Sequence, residues 1–151
     1  MFWRTRLNVL SERELDALLL SVVRSYMGAD ACEALDHVAS VTDGVRARVQ
    51  FRGWLEGLVE IAASVESAAW MAERMTGQRA DAAIGGEVLA ELCNTLAGQV
   101  KSMLGEGLIL EIPVIEPTTT PSMWPAFCRS YRCGDAEFTL VMWDRNPDGA
   151  M

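Results

Sequence analysis

One segment limits the possible folds more than any other: an unbroken helical pattern that runs from about Asp81 to Leu104. When its residues are placed at intervals of about 100°, the apolar side chains fall within one arc of about 180°. The apolar stripe consists of Ile84, Val88, Leu89, Leu92, Cys93, Leu96, Val100 and Met103. Such a helix must pack on another layer of the protein, and Gly105 and Gly107 predict where it ends.

The opposite face of this helix is polar. Glu87, Glu91, Asn94 and Gly98 lie near its centre, and Glu91 and Asn94 project side by side because they are three residues apart. A glycine within a helix costs about 0.5–1 kcal/mol relative to alanine. Gly98 therefore suggests that a partner approaches the backbone closely. Exposed Glu, Asn and Gly are also common solvated residues, so the cluster by itself leaves both interpretations open.

Two more helices are predicted upstream. Ser11 and Glu14 form an S-x-x-E capping box, and the apolar residues that follow recur at helical spacing up to Gly28. An Ala/Met/Trp-rich segment from about Ala63 to Met75 predicts a second helix that ends at Gly77. The long helix then follows almost directly.

Strands are predicted before and after the two adjacent helices. Apolar and β-branched residues from Val38 to Val59, interrupted by Asp43-Gly44 and Gly53, indicate two or three strands joined by tight turns. Later strands are predicted at 108–112, 126–132 and 138–143, the last two as a hairpin. This order predicts an α/β (α+β) fold: a mostly antiparallel sheet of about six strands, with helices packed on one face.

Charge and hydropathy exclude two classes of partner. The chain of 151 residues carries 13 Lys and Arg against 21 Asp and Glu, a net charge of −8, and its basic residues are scattered. Nucleic acid is therefore not an expected partner. The longest apolar stretches are too short to cross a bilayer, so we expect no membrane partner and a cytoplasmic location.

The cysteines and the single histidine give no pattern of metal ligands. Cys32, Cys93, Cys128 and Cys133 lack C-x-x-C spacing, so no metal is expected, and buried reduced thiols are the simpler expectation. His37, beside Asp36, has no nucleophile near it in sequence and is expected to be a partly buried strand residue. Cys93 is expected at the edge of the core rather than as a reactive thiol.

The long helix also carries a resemblance to a known family. The stretch Glu91-Leu-Cys-Asn94-Thr-Leu-Ala-Gly98-Gln-Val-Lys101, followed by a strand and Ile112-Pro113-Val114-Ile115, resembles the E-x-x-N helix of the CheX-like chemotaxis phosphatases and their CheC-type relatives. The turn at 51–57 and the hairpin at 128–143 are similar to further parts of that family. The resemblance spans roughly residues 30–143, and it is sharpest on the helix of Glu91.

The resemblance implies an activity and a set of site residues. The chain would accelerate hydrolysis of the aspartyl phosphate on a CheY-like receiver domain of a response regulator. Asn94 would orient the attacking water and Glu91 would pair with the receiver's active-site lysine, while Glu87, Gly98 and Lys101 would contact the partner. Mg²⁺ would be held by the receiver, and this chain would need no cofactor of its own.

Several features are left open by the resemblance. The family pattern often has Asp or Ser where this chain has Glu87, and no second E-x-x-N occurs at Glu66 or Glu73, which implies one active site. We expect a single CheX-like domain over 1–151, with a core at about 9–144 and loose termini at 1–8 and 145–151. The alternative function is a non-catalytic adaptor that binds a receiver or a flagellar-switch protein through the same surface. A homodimer is also left open.

Overall fold

Three helices and seven strands form in the computed structural model, which describes residues 11–28, 32–38, 41, 43–118 and 127–144. The helices are α1 (Glu12–Met27), α2 (Val65–Thr76) and α3 (Ala82–Leu104). The strands are β1 (Cys32–Ala34), β2 (Gly44–Gly53), β3 (Gly57–Ser64), β4 (Leu108–Leu110), β5 (Val114–Pro117), β6 (Phe127–Cys133) and β7 (Ala136–Asp144). None of the described helices is long and apolar enough to span a membrane.

Local capping signals set the helix boundaries. The predicted capping box is present at α1, where the Ser11 N–H donates to Glu14 Oε1 (2.9 Å) and the Glu14 N–H donates to Ser11 Oγ (3.1 Å). Asp81 Oδ1 accepts from the Ile84 N–H (2.9 Å) at the start of α3. Gly77 ends α2 in the left-handed conformation, with φ of 73°. The predicted helices are therefore confirmed to within a few residues.

All the strands pair antiparallel in one sheet. Its order is β1-β6-β7-β3-β2-β4, and β5 also pairs with β2. β2 carries both short strands on its outer side, with Phe51 opposite Leu110 in β4 and Val45 opposite Pro117 in β5. The predicted strand at 108–112 is therefore shorter, because the chain leaves the ladder before Pro113, which has no N–H to donate.

The helices cover one face of the sheet. In β2, Ala47, Val49 and Phe51 are fully buried and belong to the same core cluster as the apolar stripe of α3. The intervening Arg46, Arg48 and Gln50 point to the opposite face, as strand alternation requires. A smaller apolar cluster of Leu58, Val141 and Trp143 lies on that opposite face. The core between sheet and helices thus fixes α3 across β2 and β3.

The region before β2 differs from its sequence-based prediction. Val38 and Val41 lie outside the strands, whereas the unpredicted β1 pairs with β6. The expectation for His37 was wrong: its side chain is 61% exposed in a bend, where its Nδ1 lies 3.2 Å from Asp36 Oδ1. A histidine next to an aspartate is easily solvated, and among the described residues no strand pairs with Asp36 or His37. The termini predicted to be loose, 1–8 and 145–151, lie outside the described residues.

The expectation of reduced thiols was wrong for two of the four cysteines. Cys32 in β1 and Cys133 in β6 lie directly opposite each other and form a disulfide. Their Cα atoms are 4.2 Å apart, because facing residues of an antiparallel ladder approach closely. Cys93 and Cys128 remain free, and Cys93 is fully buried.

Candidate functional site

The buried face of α3 anchors this helix against the sheet. Nine of its residues are buried: Gly85, Gly86, Val88, Leu89, Leu92, Cys93, Leu96, Ala97 and Val100. The predicted stripe is confirmed except at Ile84 and Met103, whose side chains are 38% and 43% exposed. Both lie close to the ends of the helix, where fewer neighbouring elements cover a side chain. The helix is therefore anchored along its middle, where the polar residues face outward.

The residues predicted to act on a partner share one surface of α3. Glu87, Glu91 and Asn94 are exposed, and Gly98 and Lys101 are half-buried. Because they recur at spacings of three and four, they form a single row along the helix, called here the α3 ridge. The structure brings all five predicted site residues together on this row, at a helix face turned away from the sheet.

Asn94 lies at the centre of the α3 ridge. Within the part of the chain that the structure describes, no hydrogen bond engages its side-chain amide. A primary amide offers one acceptor oxygen and two donor hydrogens. These groups are consequently available to a water molecule or to a partner protein.

Glu91 has a partner on another helix. The Tyr26 hydroxyl, near the end of α1, donates to Glu91 Oε2 at 3.3 Å and lies 2.8 Å from Thr95 Oγ1. Sequence analysis did not identify Tyr26 or Thr95 as site residues. Tyr26 and Glu91 are 65 residues apart in the chain, and only the packing of α1 beside α3 brings them together.

Gly98 leaves open space above the helix backbone. A Cβ atom built at this position would meet no heavy atom within 4 Å. At Gly86, in the first part of α3, the same atom would lie 2.9 Å from Ile115 Cγ2. Internal packing therefore accounts for a glycine at position 86 but not at position 98.

Other reactive groups lie away from the α3 ridge or are shielded. Burial raises the pKa of the Cys93 thiol, and the thiol donates to the Val59 carbonyl oxygen at 3.3 Å, so Cys93 is a core residue. Among the residues that the structure describes, no group of three or more His, Cys, Asp and Glu side chains could hold a metal ion.

A cavity of about 410 Å³ lies on the sheet face opposite the helices. It is lined by Arg48, Gln50, Leu58, Glu111, Ile112, Val114 and Glu116. Arg48 Nη1 lies 2.8 Å from Glu116 Oε1, and this hydrogen bond lowers the pKa of Glu116. Desolvation raises the pKa of the neighbouring Glu60, although the charge of Arg46 opposes that shift. The charges in and around this cavity thus largely satisfy one another.

The sequence matches a family model, and the fold matches solved structures of the same family. The family model of the chemotaxis phosphatase CheX matches residues 45–121, slightly more than half of the chain, including α3. No curated protein matches the sequence.

Three solved structures illustrate the shared fold. The CheX–CheY–BeF3–Mg complex from Borrelia burgdorferi contains a chain with a TM-score of 0.77 and 18% identity, covering 90% of this chain and 99% of that one. CheX from Vibrio vulnificus has a TM-score of 0.72 and 13% identity, covering 94% and 98%. FliY from Thermotoga maritima has a TM-score of 0.62 and 14% identity, covering 94% and 91%. At these identities the likeness establishes the fold.

Proposed function

Because the chain belongs to the CheX family of chemotaxis phosphatases, we propose that it accelerates hydrolysis of the aspartyl phosphate on a CheY-like receiver domain. One observation carries the proposal. Glu91 and Asn94 lie three residues apart on the exposed face of a helix whose other face is anchored in the core, beside an unobstructed Gly98. An exposed carboxylate and an exposed amide at fixed separation can enter a partner's active site together.

Asn94 orients the attacking water in this proposal. Phosphoryl transfer needs little covalent assistance from the protein, so a water held in line with the phosphorus supplies much of the rate enhancement. The amide is neutral, and it can therefore approach the phosphoryl oxygens without the repulsion that a carboxylate would meet. Its side chain has no hydrogen bond to give up among the described residues.

Glu91 anchors the receiver by pairing with a lysine of the receiver's active site. Glu87 and Lys101 extend the contact along the α3 ridge, and Gly98 lets the partner approach the backbone. Glu87 lies one turn before Glu91, so its charge attracts the same cation while remaining farther from the phosphate. The ridge thus offers charge for docking and an amide for chemistry.

Mg²⁺ belongs to the receiver in this proposal. The solved CheX–CheY complex from Borrelia burgdorferi contains Mg²⁺ and beryllofluoride together with both proteins. The described part of the present chain offers no cluster of metal ligands. Receiver domains act in the cytoplasm, and we place this protein there with its substrate.

A non-catalytic adaptor is the alternative that the same surface allows. The fold is shared with FliY from Thermotoga maritima as well as with the CheX proteins. An adaptor would bind a phosphorylated receiver without shortening the lifetime of its phosphate, and it would have no requirement for the amide of Asn94. Lifetime and the effect of Asn94 therefore separate the two functions.

The test is the decay of a radiolabelled phospho-receiver from the same organism, with and without the protein. We expect catalytic acceleration by the wild type and its loss in Asn94→Ala. Gln99→Ala is the matched control, because Gln99 is an exposed amide on the same helix, about 140° around its axis from Asn94. Unchanged decay across the organism's receivers would overturn the phosphatase proposal in favour of the adaptor, and equal loss in both variants would remove Asn94 from its role.

A further inference from the structure

The hydroxyl of Tyr26 links α1 to the α3 ridge. It lies 2.8 Å from Thr95 Oγ1 and 3.3 Å from Glu91 Oε2. The ring of Tyr26 is half-buried and packs against the core, which restricts the side chain and fixes the position of its hydroxyl beside Glu91 and Thr95. Glu91 itself is exposed and has no other hydrogen bond within the described residues.

The protons in this small network can be assigned. A tyrosine hydroxyl carries one hydrogen, and an ionised carboxylate can only accept. Because Tyr26 donates to Glu91, it accepts from Thr95, whose hydroxyl supplies the hydrogen of the 2.8 Å contact. In the order Thr95 to Tyr26 to Glu91 the carboxyl oxygen of Glu91 acts only as an acceptor, so the network leaves the second oxygen free to accept from a partner.

We propose that Tyr26 is a positioning residue for the phosphatase: it holds one carboxylate oxygen of Glu91 and leaves the other, Oε1, directed to the cation of the docking receiver. This inference rests on the proposed function. Tyr26 does not touch the reacting atoms and acts only through Glu91.

The physical effect lies in preorganisation. A free glutamate on a helix surface samples several rotamers, and binding must freeze one of them. A hydrogen bond from a half-buried ring restricts that sampling before the receiver arrives. Removing the hydroxyl should weaken receiver binding about three- to tenfold, the range expected for one partly exposed hydrogen bond to a charged group. The rate at saturation should hardly change, because Asn94 keeps its position.

Tyr26→Phe is the test variant, since it deletes the hydroxyl and keeps the ring in the core. Tyr131→Phe is the matched control. Tyr131 is the other tyrosine of the chain, and its hydroxyl donates to Asp16 on the same helix α1 (2.6 Å) but does not contact the α3 ridge. A general loosening of α1 would affect both variants, whereas a positioning role affects only Tyr26→Phe.

Two readouts separate positioning from a structural role. Affinity is measured with the receiver loaded with beryllofluoride and Mg²⁺, and KM and kcat are measured with the phosphorylated receiver. Tyr26→Phe should raise the dissociation constant and KM together, with kcat within about twofold of the wild type. Tyr26→Phe is then combined with Glu91→Ala. In that background it should change neither the dissociation constant nor KM further, because Tyr26 acts through the Glu91 carboxylate, which the second substitution removes.

Each outcome decides the inference. An increase in the dissociation constant that disappears in the Glu91→Ala background supports it. Equal affinity for the wild type and Tyr26→Phe overturns it while leaving the phosphatase proposal intact, and so does an equal weakening in Tyr131→Phe or in the Glu91→Ala background. A wild type that neither binds the loaded receiver nor accelerates decay overturns the proposed function and this inference together.

Discussion

Gly85 and Gly98 belong to the same helix but have opposite surroundings. A Cβ atom at Gly85 would lie 3.0 Å from Ala68 Cβ and 3.1 Å from the Ala68 carbonyl carbon, in the contact between α3 and α2. A Cβ atom at Gly98 would meet nothing within 4 Å. The first glycine serves internal packing, and the second leaves room on the α3 ridge.

Gly98→Ala should therefore stabilise the protein. Alanine is favoured over glycine within a helix by about 0.5–1 kcal/mol, and no neighbour opposes the added methyl group. Gly85→Ala is the control, and it should destabilise the protein by about 1 kcal/mol or more because a backbone segment of α2 blocks the methyl group. Urea unfolding followed by circular dichroism measures both, and a destabilised Gly98→Ala would contradict the open surroundings of this position.

A larger side chain at Gly98 should separate stability from receiver binding. Gly98→Leu should keep the helix intact and weaken binding of a beryllofluoride-loaded receiver by about tenfold or more, because leucine fills the space that the partner is proposed to occupy. Binding is measured by fluorescence anisotropy on a labelled receiver. Wild-type affinity in this variant would show that the partner docks elsewhere on the helix.

Glu91→Gln should reduce affinity rather than the rate at saturation. The substitution keeps the size of the side chain and removes the charge that is proposed to pair with a lysine, so we expect a loss of about tenfold in affinity. Wild-type binding should weaken more steeply with added salt than binding of the variant, because one ion pair fewer is screened. A collapse of kcat at unchanged affinity would assign Glu91 to the chemistry instead.

Reduction of the disulfide should destabilise the fold without altering the site. Cys32 and Cys133 are 101 residues apart in sequence, and a bridge closing so long a loop contributes about 2–4 kcal/mol. Unfolding in urea with and without dithiothreitol measures the difference, and Cys32→Ser/Cys133→Ser should be insensitive to the reductant. Four free thiols in the folded, oxidised protein, rather than the two of Cys93 and Cys128, would contradict the pairing.

Glu116→Gln should show a stability loss that depends on pH. The hydrogen bond from Arg48 lowers the pKa of Glu116 below its ordinary value of 4.5, so the carboxylate contributes stability above that value and loses it as the pH falls through the folded-state pKa. At pH 7 the variant should be less stable by about 0.5–1 kcal/mol, a magnitude limited by solvent screening. The difference from the wild type should narrow as unfolding is measured below pH 4.5, and a constant difference would contradict the assignment.

Local signals explain what could be predicted of the fold. Helix boundaries follow directly from the sequence because capping contacts join residues only a few positions apart. This holds for Ser11 and Glu14 at the start of α1 and for the glycines that end α1 and α2. The helical period likewise predicted which side of α3 is buried. The exposed Ile84 and Met103 show the limit of that reasoning, because periodicity says which side a residue faces but not how far the neighbouring layer extends.

Features that depend on distant partners were not predictable in the same way. β1 has three residues and exists through its pairing with β6, about a hundred residues later in the chain. The Cys32–Cys133 bridge depends on the same register. Tyr26 reaches Glu91 only after α1 packs beside α3, so a spacing rule within one helix could single out Glu91 and Asn94 but not the tyrosine whose hydroxyl contacts Glu91.

The division of α3 into a packed face and a solvent-facing ridge has a consequence for signalling circuits. Because the ridge residues are exposed or half-buried, we expect most exchanges at these positions among related copies of the protein to change its free energy of unfolding only slightly. A cell with several receivers could therefore insulate parallel pathways from one another by diversifying a handful of positions around an unchanged glutamate and asparagine. The same separation makes the helix a suitable starting point for engineering orthogonal phosphatase–receiver pairs.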